Sequence, residues 1–267
     1  MPKNTGQMSP NNAIYSAKSE FNITTIHESH SPLQNRLLAS LPKPEYNHLL
    51  PYLELVPMPM GYLLFGAKEH LQFVYFPITA TVALMCELES GDSAAIAIVG
   101  NEGMVGISSI MGGLTLNTAI VQIVGFSYRL KVQYLKNEVN NKGSLFNLLL
   151  CYTKTLITQM SQTAVCNRYH SVEKQLCRFL LQNLDYSSSN LLPITHELIA
   201  SMIGVRRECV TIAAGNMQRA GIIKYRRGII EVIDRPKLQK NVCECYNVVK
   251  SEHDFLNTIL AKVKTSN

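Results

Sequence analysis

Arg206, Arg207, Glu208 and Thr211 open an apolar-periodic run, and their side chains are of the types that read base edges. An arginine can grip the O6 and N7 of guanine with two parallel hydrogen bonds, and a carboxylate can accept from the N4 of cytosine. Thr195, His196, Arg226 and Arg227 flank that run. They suit phosphate oxygens, which fix register without carrying sequence information. Between Arg168 and Lys237 there are 11 Lys and Arg against 6 Asp and Glu, so a net +5 of the chain's formal +6 lies in this quarter. Local charge of that kind neutralises phosphate and makes binding salt-dependent.

The elements that must hold these groups are legible around them. Thr195 can cap a short helix whose Leu198, Ile199, Met202 and Ile203 recur at helical spacing. Ala200 lets a second helix cross close by, and Gly204 supplies the positive φ of a tight turn. A second helix is expected from Arg206, burying Val210, Ala213, Ala214 and Met217 and leaving Arg206, Arg207 and Glu208 outward. A helical hairpin packed for stability alone would share the Ala and the Gly. The residues after the second helix favour a DNA reader: Gly221 ends the helix, a short strand leads to a turn around Arg226-Arg227-Gly228, and a second strand runs from Ile229 to Ile233. Such a wing lies over the sugar-phosphate backbone while the second helix enters the major groove N-terminus first.

Upstream, between about Leu53 and Tyr134, Tyr62–Phe65, Phe73–Phe76, Ala80–Glu87, Ala94–Val99 and Ala119–Val124 are β-rich runs separated by glycine and proline signals. Short strands so punctuated argue for an antiparallel barrel or jelly roll. A helix from about Lys142 to Cys166 follows. Its Phe146, Leu149, Leu150, Thr153, Leu156, Ile157, Met160 and Ala164 recur at helical spacings, an apolar stripe that can pack on the barrel as core and on a second copy of itself. Because a helix-turn-helix commonly reads a two-fold symmetric site, Phe146, Leu149, Thr153, Leu156 and Met160 are assigned to a dimer interface. The seven cysteines are scattered, as in cytoplasmic thiols rather than a disulfide frame. Cys243-Glu244-Cys245 is a lone CxC with no further ligand nearby in sequence, so no metal and no cofactor are expected. There is no apolar run of membrane-spanning length, which predicts a cytoplasmic protein without a membrane partner.

Three blocks in order, FVYFPITATVALMCELESGDSAAIAIVGNEGMVG, NRYHSVEKQLCRFLL and the Thr195–Asp234 reader, make the chain resemble the Crp/Fnr superfamily of bacterial transcription regulators over about Leu50 to Lys237. The resemblance implies an α+β fold: an N-terminal antiparallel jelly roll like a cyclic-nucleotide-binding domain, a long dimerisation helix and a C-terminal winged helix-turn-helix. The chain is expected to divide into a loose tail (1–30), rich in Asn, Ser, Thr and Lys without periodicity, a sensor barrel with flanking helices (31–140), the dimerisation helix (141–167), the DNA-binding domain (168–237) and a helical tail (238–267) of no assigned role that can pack on the DNA domain. It implies a homodimer on double-stranded DNA, with RNA polymerase as a further partner of such regulators, and no enzymatic activity.

Arg207-Glu208 match the Arg-Glu opening of the family's recognition helix, but Ile212 stands where a second basic residue is usual, so a different operator is expected. Glu102 and Gly103 resemble the start of the phosphate cassette and mark the expected effector pocket. Gly112–Ile120 carries no cation to meet a cyclic phosphate, however, so the usual cyclic-nucleotide mode is not expected. The iron–sulfur mode of the oxygen-sensing members needs N-terminal cysteines, and the first here is Cys86. For haem, His48, His70 or a cysteine are the available ligands, with nothing specific in its favour. A metal-dependent cupin enzyme needs several barrel histidines, and Leu53–Tyr134 holds only His70. The competing reading, a cyclic-nucleotide-responsive regulatory subunit acting on another protein, leaves the Arg206–Gly228 reader without a use.

Overall fold

The computed structural model describes residues 30–187 and 189–265, so the expected tail lies outside the described residues except for its last position. Seven strands build the N-terminal part: β1 (Glu54–Met58), β2 (Leu63–Phe65), β3 (Phe73–Pro77), β4 (Thr81–Glu87), β5 (Ser93–Val99), β6 (Thr118–Ile123) and β7 (Gly125–Lys131). They form two antiparallel sheets, in the orders β1-β7-β3 and β2-β6-β4-β5. Val74, Phe76, Val82, Leu84, Val99, Val121 and Leu130 belong to one shared core.

Five of these strands match the expected runs; β1 and β7 do not. Pro57 interrupts β1, which is tolerable because β1 is an edge strand. Charge is shared between the two strands instead: Glu54 lies opposite Arg129, whose Nε and Nη2 donate to Oε2 at 2.9 and 2.7 Å.

β4 is buried from Thr81 to Met85 without alternation. Val82 and Leu84 belong to the barrel core, while Ala83 and Met85 join a second core with Leu176, Leu180, Ile199 and Met202. The C-terminal elements thus pack on the outer face of the β4–β5 sheet. They are α6 (Val172–Tyr186), β8 (Leu191–Leu192), α7 (His196–Ile203), α8 (Arg207–Arg219), β9 (Ile223–Arg226), β10 (Ile229–Val232) and α9 (Arg235–Asn241), with the small sheet ordered β8-β10-β9.

Between the two parts run α4 (Val132–Asn140) and the 26-residue α5 (Ser144–Tyr169), after the short α1 (Arg36–Ala39), α2 (Lys43–Leu49) and α3 (Ser108–Met111). Glu45 of α2 sets the start of α5: its carboxylate accepts from the Ser144 and Leu145 N–H groups at 2.9 and 2.8 Å.

The tail expected without a role forms α10 (Glu244–Thr265), which packs along α5. Leu256 and Leu260 enter the barrel core, and Lys154 of α5 pairs with Glu252 at 2.9 Å. That packing removes two residues from the stripe assigned to a dimer. Leu149 and Leu156 are 0 % and 5 % exposed, consumed by the chain's own core. Leu150 and Ile157 are 51 % and 59 % exposed, and with Phe146, Thr153, Met160 and Ala164 they recur at alternating steps of four and three. That is the spacing of a coiled-coil seam.

Candidate nucleic-acid interface

Thr195 caps α7: its Oγ1 accepts from the Leu198 N–H at 3.2 Å. Gly204 ends the helix at φ 70°, and a Cβ there would meet the Cβ of Ala94 on β5 at 3.1 Å. Both the left-handed turn and the close approach therefore require glycine.

The second helix begins one residue later than expected. Arg206 is the N-cap of α8, extended at φ −71° and ψ 145°, and no side chain caps the amides behind it. Val210, Ala213, Ala214 and Met217 are buried, leaving Arg206, Arg207, Glu208, Thr211 and Ile212 exposed. Uncapped amides, a helix N-terminus and two arginines together make a positive tip. Arg207 Nε lies 3.7 Å from Glu197 Oε2, with side chains 65 % and 75 % exposed, a surface pair of small worth that leaves the guanidinium free to turn outward. Ile212, beside them on the outward face of α8, is 66 % exposed.

His196 joins the parts. Its ring stacks on Tyr225 of β9, centroids 4.0 Å apart, and its Nδ1 lies 3.2 Å from Thr211 Oγ1 on α8. Burial, followed by the neighbouring Arg207 charge, lowers its pKa. With Nδ1 facing Thr211, Nε2 buried and the ring stacked on Tyr225, His196 is a joint between wing and helix rather than the exposed phosphate contact expected of it. The Thr211 hydroxyl is likewise engaged, donating to the Arg207 carbonyl at 3.1 Å and facing His196 Nδ1.

The wing is a two-residue hairpin. Arg226 pairs with Ile229 across Arg227-Gly228, which take φ of 50° and 79°, the positive values that a type I′ turn needs. Arg226 and Arg227 are exposed, and Gly228 adjoins Thr195: a Cβ there would lie 3.4 Å from Thr195 Cγ2. Thr195, the wing tip and the start of α8 are thereby brought into one surface.

The residues expected to line an effector pocket are packed by the chain itself. Glu102 is 3 % exposed, with Oε1 accepting from the Gly100 N–H at 3.2 Å. A Cβ on Gly103 would stand 2.4 Å from Tyr152 Oη, and one on Gly100 would stand 2.6 Å from the Tyr186 ring. Tyr152 of α5 and Tyr186 of α6 therefore fill the space beside the cassette. Burial, then the Glu102 carboxylate, pushes both hydroxyls well above their usual values. The cavity that Glu102 does line is shared with Tyr186 of α6 and His253 and Asn257 of α10, on the outside of the barrel.

The lone CxC acquires company. Cys166 and His170, at the end of α5, meet Cys243 and Cys245, with all four potential ligand atoms within 4.8 Å of one another. Sequence spacing conceals this because the chain runs through the whole DNA-reading unit before it returns.

Residues 174–240 match the family model of the Crp-like helix-turn-helix domain. No curated protein matches the chain. Among solved structures, a transcriptional regulator of the Crp/Fnr family from Eubacterium rectale is similar at 18 % identity and a TM-score of 0.62, over 77 % of this chain and 96 % of that one. FixK2 from Bradyrhizobium japonicum is similar at 16 % identity and a TM-score of 0.63, over 72 % and 98 %. A Crp/Fnr-family transcriptional regulator from Thermus thermophilus gives 18 % identity and a TM-score of 0.55, over 70 % and 97 %.

Proposed function

We propose that this chain is a transcription regulator of the Crp/Fnr superfamily, acting as a homodimer that reads a two-fold symmetric operator, a reading supported by its Crp-like helix-turn-helix domain and its fold. The observation that carries the reading is that His196 ties the wing strand to α8 and Gly228 abuts Thr195, so that the exposed arginines of the α8 start and of the wing turn belong to one connected unit. α8 enters the major groove. Arg206, Arg207 and Glu208 address base edges, and the Thr211 methyl and exposed Ile212 suit the methyl of thymine. Arg226, Arg227 and the Thr195 hydroxyl address phosphates and set register.

Two chains pair through the seam of α5 running from Phe146 through Leu150, Thr153, Ile157 and Met160 to Ala164, setting the two readers about 34 Å apart. The DNA domain shares a core with Ala83, Met85, Ala95 and Ile98 of the barrel sheet. An effector acts by favouring one packing of that shared core over another. Filled by Tyr152 and Tyr186, the cassette itself argues against a cyclic nucleotide as that effector.

The test is selection of bound duplexes from a random pool with wild type and Arg207→Ala. The expected wild-type product is a two-fold symmetric site. Arg207→Ala should lose about 1–3 kcal/mol and relax one base pair per half-site. An unchanged preference in Arg207→Ala would remove the base-reading role from α8.

A further inference from the structure

We propose that Cys166, His170, Cys243 and Cys245 hold one zinc ion, which clamps the root of α10 to the joint between α5 and α6. Cys166 sits on the last turn of α5, and His170 four residues on is its C-cap. Cys243 ends the α9–α10 link, and Cys245 lies in the first turn of α10. Cys166 Sγ is 3.6 Å from Cys243 Sγ, and Cys245 Sγ is 3.6 Å from His170 Nδ1. A tetrahedral ion with Zn–S near ~2.3 Å and Zn–N near ~2.0 Å has edges of about 3.8 and 3.5 Å, so the observed spacings are those of one coordination shell. They are far from the ~2.05 Å of a disulfide. Four ligand atoms within 4.8 Å also enclose a single ion, whereas an iron–sulfur cluster spreads its thiolates over separate irons. Three thiolates and an imidazole form a known structural zinc set, and softness favours zinc over the hard cations.

The surroundings supply what such a site needs. Cys166, Cys243 and Cys245 are 0 %, 2 % and 1 % exposed. With Nδ1 directed to the metal, the other nitrogen of His170, Nε2, lies 3.5 Å from Glu244 Oε1, the carboxylate that orients a ligating histidine. Gln175 of α6 donates Nε2 to the His170 carbonyl at 2.9 Å, fixing the turn that carries the ligand. Loading releases three thiol protons and leaves a complex of net charge −1. Arg178 answers that charge. It is 4 % exposed, its Nη1 donates to the neutral Thr163 Oγ1 at 2.9 Å, its Nε has no hydrogen-bond partner, and among the described residues it forms no ion pair. Its guanidinium lies close enough to Cys166 and Cys245 to interact electrostatically with both. A buried cation with no anion is costly, and the three thiolates provide one. The chain's two long α5 and α10 helices and its DNA-reading unit thus meet at one metal.

Metal content is measured on the full-length protein purified under reducing conditions and reloaded with zinc. One zinc per chain is expected in wild type and in Cys209→Ser, and none in Cys243→Ser or Cys245→Ser. X-ray absorption of wild type needs no variant to fold: three sulfurs near ~2.3 Å and one nitrogen near ~2.0 Å would support the site. Cobalt in place of zinc should give the intense visible bands of a tetrahedral thiolate complex. Chelation should speed proteolytic removal of α10. No zinc above the buffer blank after reloading, iron in its place, a shell of oxygen and nitrogen alone, or a Cys166–Cys243 disulfide by mass would each overturn the proposal.

Discussion

Replacing Ile157 and Leu156 separately by alanine distinguishes the two faces of α5. Ile157 is 59 % exposed in one chain and Leu156 is 5 % exposed, although they are sequence neighbours of nearly equal hydrophobicity. Ile→Ala removes three carbons, worth about 2.4 kcal/mol if taken from full exposure to full burial. Only the 59 % left exposed by the monomer is available to a partner, about 1.4 kcal/mol per chain. Two symmetric copies bring the loss to about 2.8 kcal/mol, a roughly hundredfold weaker dimer. The melting transition of the separated chains should barely change. Leu156→Ala should do the reverse, costing about 2–5 kcal/mol of chain stability through the cavity it leaves, with little direct effect on pairing. Sedimentation equilibrium over a dilution series reads the first quantity and denaturant unfolding reads the second. Wild-type pairing in Ile157→Ala, measured where Leu156→Ala is clearly destabilised, would refute the seam.

Three individual contacts give further expected outcomes. Arg227→Gly keeps the positive φ that the wing turn requires and removes its charge, so folding should be unaffected, affinity should fall alike for all sequences, and the slope of log K against log salt should flatten by about one unit in fluorescence-anisotropy titrations. His196 has a pKa below its ordinary 6.5, so the fold favours the neutral ring; its contribution is present above pH 6.5 and is lost as the pH falls through the lowered value. Wild type should therefore lose stability faster than His196→Gln between neutral pH and pH 5 in thermal melts; parallel curves would show that the ring is not held neutral. Gly103→Ala would place a Cβ 2.4 Å from Tyr152 Oη, whose hydroxyl donates to the Met104 carbonyl at 3.0 Å. Urea unfolding should register about 1–3 kcal/mol of destabilisation, and an unchanged midpoint would mean that Tyr152 yields without cost.

Local chemistry in the sequence determined the DNA reader. Thr195 and Gly204 bracket α7 through a side-chain cap and a left-handed turn, both involving residues within a few positions. The face of α8 follows from helical spacing, and Arg227-Gly228 makes its own hairpin. The β-rich runs around Ala80–Val99 were legible for the same reason, whereas Pro57 and the charged residues of β7 masked strands that exist by virtue of pairing with each other. Tertiary structure decided which apolar face of α5 is core. Leu148, Leu149 and Leu150 are consecutive, so no period in the sequence distinguishes Leu149 from Leu150; α10 and the barrel bury the first and leave the second. It also turned His196 from a surface group into a stacked joint and filled the cassette around Glu102 with Tyr152 and Tyr186. The cysteine–histidine cluster lies furthest from sequence reasoning: Cys166 and Cys243 are 77 positions apart, and only the return of the chain along α5 brings them within 3.6 Å. Helix caps, turns and helical faces are short-range consequences of side-chain chemistry, while a choice between two equally apolar faces, or a meeting of distant ligands, depends on which surfaces the folded chain has left to cover.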